Sequence, residues 1–429
     1  MARRGAKRHK KIFLVVLVLL VIVIAVCACL YFFVYKEEVD DFLYNHFGDQ
    51  ASEGDTGDQS GSGNEGGGDQ SGSGNEGGGG VSDPVADGDI AEISSAELSI
   101  HFLELGNRYT GDCTLIKVGN TEVLIDAGSR QNSAAAIVDY VSDYCTDGVL
   151  DYVIATHAHQ DHIAGFVGTT SAPGVFESFS IGTIIDFPRT GVSTNIYNRY
   201  VEERDNAVER GAEHYTALEC WNNEGGAQRS YALSESVTMN ILYQRFYEED
   251  TGDENDYSVC MLLTQGENNF LFTGDLEADG EQSLVDSNEL PRCKLFKGGH
   301  HGSYTASTDA LLSVIQPEIV CVCCCAGSPE YTVNVDNMFP AQDFIDRVGR
   351  YTDQIYVTSL ATDVVAIPKE ESETNREVKS WEYTSMNGNI VVYTVKEADT
   401  YALKLWCSNN TTKLKDTQWF QENRTWSGV

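Results

Sequence analysis

The part of the sequence best suited to chemistry is THAHQDHIAG, residues 156–165, which holds three of the nine histidines of the chain. Imidazole nitrogens and carboxylate oxygens are the ligands that Zn²⁺, Mn²⁺ and Fe²⁺ prefer. The segment links the strand-like DYVIAT to the helix-like IAGFVG, so its polar residues are expected in an exposed loop. In such a loop His157 and His159 can face one point. Asp161 and His162 then face a neighbouring point, and the pattern predicts a site for divalent metal ions.

Two later segments end in residues of the same kinds. NFLFTGDLE places Asp275 at the end of a strand-like run, and KLFKGGHHGS does the same for the adjacent His300 and His301. Two metal ions about 3.5–4 Å apart need a bridging carboxylate, and Asp275 is the predicted bridge. The pattern alone leaves open which histidine of the pair is a ligand. Lys297 precedes the pair, and its position is compatible with a phosphate contact or with a solvated surface.

Runs of short strands alternate with helical patterns along the rest of the chain, which indicates an α/β fold of two sheets with helices on their outer faces. The segments FLELGNRYTGDCTLIKVGNTEVLIDAG, DYSVCMLLTQGENNFLFTGDLEADGE and LFKGGHHGSYTAST resemble, in this order, motifs of the metallo-β-lactamase-fold hydrolases. The resemblance spans roughly residues 97–368. It is strongest to the hydrolase domain of bacterial DNA-uptake (competence) channel proteins and looser to phosphorylcholine esterases. It implies a four-layer αββα sandwich.

The resemblance also implies a role for each residue of the first motif. His157 and His159 would bind the first metal ion, and Asp161 and His162 the second, while Asp275 would bridge them. Two divalent ions, Zn²⁺ or alternatively Mn²⁺, would activate water as hydroxide for attack on phosphorus or on a carbonyl carbon. Asp161 would also serve as a proton acceptor.

The later histidine pair completes the implied site. His301 is favoured as the last ligand of the second ion, with His300 binding the substrate and stabilising negative charge, and the reverse order stays open. Lys297 is the further substrate-binding candidate. Many members of the family carry one more histidine ligand between the first motif and the bridging aspartate. His214 is the only candidate in that interval, and its pattern predicts a structural residue in a linker.

The first 34 residues predict a membrane anchor. Residues 1–11 hold six Lys or Arg and no acid, and residues 12–34 are 23 residues without a charge, enough to span a bilayer. The competing interpretation, a cleaved signal peptide, has an apolar region of only about 7–15 residues. The basic flank favours a cytoplasmic N-terminus, which predicts an extracellular catalytic domain. A single span cannot form the channel of the competence proteins.

The remaining chain divides by composition. Residues 35–91 are a juxtamembrane segment and an acidic Gly/Ser linker, in which an 11-residue repeat occurs at 58–68 and 69–79. This composition cannot bury a core and predicts a flexible tether. Residues 92–370 form the predicted hydrolase domain. Residues 371–429 are predicted to form a β-hairpin around the Asn-Gly pair at 387–388, followed by a tail that packs on the domain.

Charge and cysteine content limit the possible functions. Beyond the basic flank, 23 Lys and Arg stand against 65 Asp and Glu, a net charge of −42, which disfavours tight binding of long nucleic acids. Ten cysteines follow the apolar segment, and an extracellular position permits disulfides. The run CVCCC at 321–325 lies in a predicted buried strand, where cysteines pack as small apolar residues.

The leading hypothesis is a membrane-anchored extracellular phosphoesterase that acts on a small-molecule or cell-envelope phosphoester. The first alternative is an extracellular nuclease for DNA, which the resemblance favours and the charge opposes. The alternative from another class is a metal-binding surface module without turnover.

Overall fold

In the computed structural model, which describes residues 87–169, 172–368 and 376–429, the strands form two eight-stranded sheets. The α/β architecture with two sheets predicted from the sequence is thereby confirmed. The predicted membrane helix at 12–34 and the repeats at 58–79 lie outside the described residues. Within the described ranges, every helix is too short or too polar to cross a membrane.

The first sheet has the strand order β16-β15-β1-β2-β3-β4-β5-β6. Strands β3 to β6 run parallel, whereas β16, β15, β1, β2 and β3 pair antiparallel with their neighbours. The bounds are β1 Leu98–Phe102, β2 Thr114–Val118, β3 Thr121–Ile125, β4 Val149–Ile154, β5 Ser180–Asp186, β6 Glu213–Thr216, β15 Ile390–Glu397 and β16 Thr400–Cys407.

The second sheet has the order β14-β13-β12-β11-β10-β9-β8-β7. Its central strands β10 to β13 run parallel, and the remaining pairs are antiparallel. The bounds are β7 Ser230–Ala232, β8 Val237–Leu242, β9 Cys260–Gln265, β10 Asn268–Phe272, β11 Leu295–Lys297, β12 Ile319–Ala326, β13 Ile355–Pro368 and β14 Arg376–Ser385.

Ten α-helices are found in the described part of the chain, and the longer ones cover the sheets. The largest core cluster contains side chains from both sheets together with Ile137 and Val141 of α2 and Tyr200 of α5. A second cluster joins the other face of the second sheet to α7, α8 and α9. The bounds are α1 Asp87–Ser95, α2 Ser133–Tyr144, α3 Gln160–Ile163, α4 Val175–Ser178, α5 Asn195–Glu209, α6 Ala217–Asn222, α7 Ala278–Ser287, α8 Asp309–Ile315, α9 Gln342–Val348 and α10 Gln418–Asn423.

The folded region begins earlier than composition predicts. Helix α1 starts at Asp87, inside the segment 35–91 that was predicted as linker. Its Ile93 packs against Val391 and Tyr393 of β15, and the Tyr393 hydroxyl donates to Glu92 Oε2 at 2.9 Å. This contact joins residues about 300 positions apart in the sequence. The local composition of residues 87–91 therefore could not indicate that they belong to the folded domain.

The predicted hairpin at the Asn-Gly pair is wrong, because β14 and β15 belong to different sheets. Asn387 is fully buried, and its side chain accepts from Val357 N at 2.8 Å and donates to Thr412 O at 2.9 Å. The pair thus passes the chain from one sheet to the other. The hairpin at the end of the domain is instead formed by β15 and β16. Alternating apolar residues predict the two strands, and the Asn-Gly pair predicts a turn between them. Neither pattern specifies with which strand each of them pairs.

The cysteine-rich run behaves as predicted. All eight residues of β12 are buried, with Cys321 and Cys323 in the core between the sheets and Cys324 in the core on the other face. The ten cysteines of the described residues are all buried free thiols. Burial raises the pKa of several, for example that of Cys293 to about 12, which keeps the thiols protonated and unreactive.

The C-terminal tail is held by one buried arginine. Arg424 is 6% exposed and donates to the carbonyls of Pro340, Met338 and Asn423 at 3.0, 2.8 and 2.8 Å. Its guanidinium group also lies over the ring of Trp419. Burial lowers the pKa of Arg424 to about 10, so the group still carries its charge at neutral pH. The tail thereby anchors the segment that precedes α9.

We expect Arg424→Met to lower the free energy of unfolding by about 2–4 kcal/mol, because three carbonyl groups, among them the buried one of Pro340, lose their donors together. Urea and thermal denaturation of the full chain measure this change. The control is Arg350→Met, since the exposed Arg350 side chain bonds only an exposed carboxylate, that of Asp309, and its loss should have little effect. Equal stability of the two variants would contradict the anchoring role of Arg424.

Candidate metal centre

The candidate ligands lie where parallel strands end. The first motif follows β4, Asp275 follows β10, and the histidine pair follows β11. Strand β4 pairs in parallel with β3 and β5, and β10 pairs in parallel with β11, so the carboxyl ends within each sheet share an edge. Polar residues just beyond such ends commonly form the binding site of an α/β protein. Motifs that are far apart in the sequence therefore lie close together in the structure.

Four donor atoms converge in this cluster. His162 Nε2 lies 3.0 Å from Asp275 Oδ2 and 3.3 Å from His301 Nε2. His301 Nε2 lies 3.2 Å from Asp275 Oδ2 and 3.4 Å from Asp161 Oδ2. All four residues are buried. The structure thus brings together the residues predicted for the second metal ion and the predicted bridge.

His157 and His159 form a second pair of donors beside this group. His157 Nε2 and His159 Nδ1 are 3.0 Å apart, so these nitrogens face the same point. The rings of His157 and His162 are neighbours, with centroids 4.1 Å apart. His157 is buried and His159 is partly exposed. The structure thus places the two residues predicted for the first ion next to the cluster.

The opposite ring nitrogens are held by acceptors. His162 Nδ1 lies 2.7 Å from Asp126 Oδ2, and His301 Nδ1 lies 2.9 Å from the carbonyl oxygen of Cys323. A ring that donates from Nδ1 presents its Nε2 lone pair to the cluster, which is the usual arrangement of a histidine that binds a metal. Asp275 Oδ1 is buried and has no hydrogen-bond partner. These features fit a divalent metal centre.

Asp126 is a functional residue to which the sequence assigned no role. It follows β3 in the left-handed region, with φ of 58°, and accepts from Thr156 N and Thr156 Oγ1 at 2.7 and 2.8 Å. A Cβ atom on the nearby Gly128 would lie 1.6 Å from Asp161 O, so only glycine lets the first motif pack here. The sole sequence signal was the Asp-Ala-Gly triplet at 126–128 within the family resemblance.

Asp112 lies beside the cluster but faces the other side of the imidazoles. Its Oδ1 is 3.3 Å from His301 Nδ1, and its Oδ2 is 3.8 Å from His162 Nδ1. Its Oδ2 also pairs with the ammonium group of Lys297. A carboxylate at the Nδ1 atoms orients the two imidazole rings and balances their positive charge. It is poorly placed to bind an ion at the Nε2 atoms, which lie on the other side of the rings.

Lys297 lies in a buried, negatively charged environment. It is 3% exposed, its ammonium group pairs with Asp112, and it lies 3.8 Å from Asp275 Oδ1. The predicted solvated surface position is therefore wrong, because the lysine is buried between two carboxylates. The pattern of a strand-end lysine could not show that two buried carboxylates surround it.

His300 and His301 take different positions although both have left-handed backbone angles, with φ of 44° and 51°. Such angles are unfavourable for residues other than glycine and often mark functional sites. His301 points into the cluster. His300 remains partly exposed at its rim, with Nδ1 3.0 Å from Glu277 Oε1 and Nε2 4.0 Å from Asp275 Oδ2. Of the two, only the ring of His301 lies among the buried donor atoms.

His214 is not brought into the cluster. It lies on the edge strand β6, where a linker was expected, and its Nε2 is 2.9 Å from Asp186 Oδ1 at the end of β5. Asp186 also bonds Arg204 at 3.0 Å, so His214 takes part in a polar contact between β5, β6 and α5.

Tyr331 closes the cluster on its outer side. Its hydroxyl donates to Asp161 Oδ2 at 2.6 Å, although the residue as a whole is 52% exposed. Burial of the hydroxyl and the charge of Asp161 raise the pKa of Tyr331 well above its ordinary value, so the group stays a donor. Tyr331 is 170 residues from Asp161, and no motif in the sequence indicates it.

The electrostatics of the ligands favour a cation. Burial alone would lower the pKa of His162, but the carboxylates of Asp275 and Asp126 outweigh it and raise this pKa to about 10. Burial likewise raises the pKa of Asp275, but the cationic His162 and His301 outweigh it and hold that pKa well below its usual range. The rings of His162 and His301 therefore hold protons wherever no metal ion supplies the positive charge.

Metal affinity should consequently rise with pH. Because the raised pKa of His162 keeps its ring protonated below about pH 10, a metal ion must displace a proton, and the apparent association constant should rise about tenfold for each unit increase in pH and each proton released. Calorimetric titration of the full chain with Zn²⁺ or Mn²⁺ between pH 6 and 8, in buffers of different ionisation enthalpy, measures the association constant and the number of protons released. A pH-independent affinity without proton release would contradict this electrostatic account.

Comparison with known proteins gives a family match. A model described as the metallo-β-lactamase superfamily matches residues 106–175 and 248–326. Recombination protein 2 of Haemophilus influenzae is 29% identical over 275 residues, which cover 64% of this chain and 29% of that protein. Competence protein ComA of Neisseria gonorrhoeae is 27% identical over 213 residues, which cover 48% of this chain and 25% of that protein. The chain thus spans less than a third of the length of these relatives.

A similar solved structure is that of the metallo-β-lactamase fold protein YhfI from Bacillus subtilis. It has 12% sequence identity and a TM-score of 0.35, and the match covers 61% of this chain and 95% of that one. The family match and the buried cluster of histidines and aspartates together indicate a metal-dependent hydrolase.

Proposed function

We propose that this chain, which carries a domain of the metallo-β-lactamase superfamily, hydrolyses phosphoester bonds with two divalent metal ions. The observation that carries the proposal is the convergence of His162, His301 and Asp161 on Asp275, with the outer nitrogens of both rings held by acceptors. Zn²⁺ is the proposed metal, since imidazole and carboxylate are its usual ligands in catalytic sites. Mn²⁺ is the alternative that the same ligands accept.

Each residue has a proposed part in the reaction. Bound divalent ions lower the pKa of water and offset negative charge on the substrate. His157 and His159 would hold the first ion, Asp161, His162 and His301 would hold the second, and Asp275 would be shared between them. Asp161 would also accept the proton of the attacking water.

His300 is proposed to bind the substrate. Its Nδ1 is held by Glu277 and by Thr305 Oγ1 at 3.2 Å, which leaves Nε2 directed along the rim toward Asp275. From this position Nε2 can donate to an oxygen of the substrate and stabilise the charge that develops there. The motif LFKGGHHGSYTAST, which resembles phosphodiesterase-like members of the family, favours phosphorus over a carbonyl carbon as the reacting centre.

The location and the substrate belong to the same proposal. The charge-free segment 12–34 and its basic flank support a single anchor with the N-terminus in the cytoplasm and the catalytic domain outside. The substrate is then a phosphoester of the cell envelope or a small molecule outside the cell. The linker holds the domain near the membrane.

A nuclease is the second candidate. Proteins named recombination protein 2 and competence protein ComA are relatives of this chain, and their names favour a nucleic-acid substrate. The large excess of acidic residues opposes tight binding of a polyanion. Salt dependence separates the two candidates, since a nuclease loses affinity for DNA steeply as salt increases.

The test is a substrate comparison with the full chain, loaded with Zn²⁺ or Mn²⁺. Bis(p-nitrophenyl) phosphate, a phosphorylcholine ester, p-nitrophenyl acetate and single-stranded DNA are assayed side by side, with Asp275→Asn as the inactive control. Hydrolysis of the phosphoesters by wild-type protein alone supports the proposal. Preferential cleavage of DNA supports the nuclease, and tight metal binding without any turnover supports a non-catalytic module.

A further inference from the structure

We propose that Tyr331 is a catalytic residue whose hydroxyl group binds a phosphoryl oxygen of the substrate. The inference rests on the proposed phosphoesterase function and adds a residue that the ligand motifs do not include. The hydroxyl would stabilise negative charge on the substrate from the rim of the cluster. Two donors at the rim, Tyr331 and His300, would then hold the reacting group.

The position of the hydroxyl is the first observation. It donates to Asp161 Oδ2 at 2.6 Å, and the same oxygen lies 3.4 Å from His301 Nε2. The hydroxyl is therefore one hydrogen bond away from the converging donor atoms. Because half of the tyrosine is exposed while its hydroxyl bonds Asp161, this residue lies at the boundary between the cluster and solvent, where a substrate must enter.

The second observation is the support for the ring. The Phe339 ring centroid lies 5.4 Å from that of Tyr331 and 5.7 Å from that of His300. It also lies 5.8 Å from that of His301. One buried phenylalanine therefore packs against both rim donors and a ligand. This packing sets the distance between Tyr331 and His300 across the mouth of the site.

The backbone beside Tyr331 is held as well. Glu330 accepts from Thr110 N at 2.9 Å and from Arg130 Nη2 at 2.5 Å. These bonds tie the segment to residues near the ends of β1 and β3. Arg424 holds the carbonyl groups of Met338 and Pro340, on either side of Phe339. An exposed tyrosine with a supported ring and a fixed backbone is positioned for contact with a ligand.

The chemistry explains how one hydroxyl serves two partners. A phenol has a single hydrogen to donate. A carboxylate oxygen that binds a cation is a weaker acceptor, so the hydroxyl can turn from Asp161 to a phosphoryl oxygen. A donor at developing negative charge typically contributes about 100- to 1000-fold to the rate in a site closed to water. We expect a smaller factor at this partly open rim, roughly 10- to 100-fold.

The experiment uses Tyr331→Phe in the full chain, which keeps the ring and removes the hydroxyl. Binding of Zn²⁺ or Mn²⁺, binding of inorganic phosphate to the metal-loaded protein, and turnover of bis(p-nitrophenyl) phosphate are measured. We expect metal affinity within about threefold of wild type, phosphate affinity about tenfold weaker, and kcat reduced about 10- to 100-fold. Tyr304→Phe is the control, since this tyrosine is 48% exposed and lies three residues after His301.

Each outcome decides the matter. Wild-type phosphate affinity and kcat in Tyr331→Phe would overturn the inference while the proposed function stands. Loss of metal in Tyr331→Phe would also overturn it, because the hydroxyl would then act by supporting Asp161 as a ligand. A wild-type protein that neither binds phosphate nor hydrolyses the diester overturns the proposed function, and the inference with it.

Discussion

Asp275→Ala should bind far less metal than wild-type protein and should lose hydrolytic activity by about a thousandfold or more. The reason is that Asp275 Oδ2 is the point on which His162 Nε2 and His301 Nε2 converge, at 3.0 and 3.2 Å. Removing the carboxylate takes a ligand from the cluster and a negative charge from the two cationic rings at once. Metal content by elemental analysis and turnover of the phosphodiester measure the two losses.

His214→Ala is the matched control for this variant. His214 bonds Asp186 at 2.9 Å on an edge strand and takes no part in the cluster. Its replacement should leave metal content and turnover close to wild type. If Asp275→Ala keeps two bound ions and near-normal turnover, the proposed site is wrong. If His214→Ala loses one ion, the site includes the additional histidine ligand of other family members.

The ligands were predictable because most of them are close in the sequence or directly follow strands. His157, His159, Asp161 and His162 occupy six consecutive positions, so any fold that places one at the edge of a sheet places the others nearby. Asp275 and the histidine pair follow apolar runs that end in glycine. Parallel pairing of β10 with β11 brings Asp275 near the histidine pair, and the packing of the two sheets brings His162, which is 113 positions away, within 3.0 Å of Asp275.

The supporting residues were not predictable from local patterns. The contact between Tyr331 and Asp161 depends on the loop after β12 returning over the site, and no periodicity encodes that return. From the sequence, Lys297 is an ordinary lysine at the end of a strand. Only the tertiary structure shows that it is buried beside Asp112 and Asp275. The Asn-Gly pair at 387–388 has the composition of a hairpin turn, yet burial of Asn387 between long-range partners makes it a link between sheets.

The two neighbouring histidines should separate metal binding from substrate binding. His301→Gln should lose most of the metal and reduce activity by about a thousandfold or more, because the buried Nε2 of His301 faces both Asp275 and Asp161. His300→Gln should keep the metal and reduce kcat only about 10- to 100-fold, as expected for loss of one hydrogen-bond donor at the rim.

Elemental analysis and steady-state kinetics on both variants provide the test, and each variant serves as the control for the other. Glutamine is the replacement at both positions because it keeps a polar side chain of similar length. Metal loss in His300→Gln with metal retained in His301→Gln would reverse the order of the pair. Because only one of the two rings has its Nδ1 fixed by the Cys323 carbonyl at 2.9 Å, we expect that ring, His301, to be the ligand.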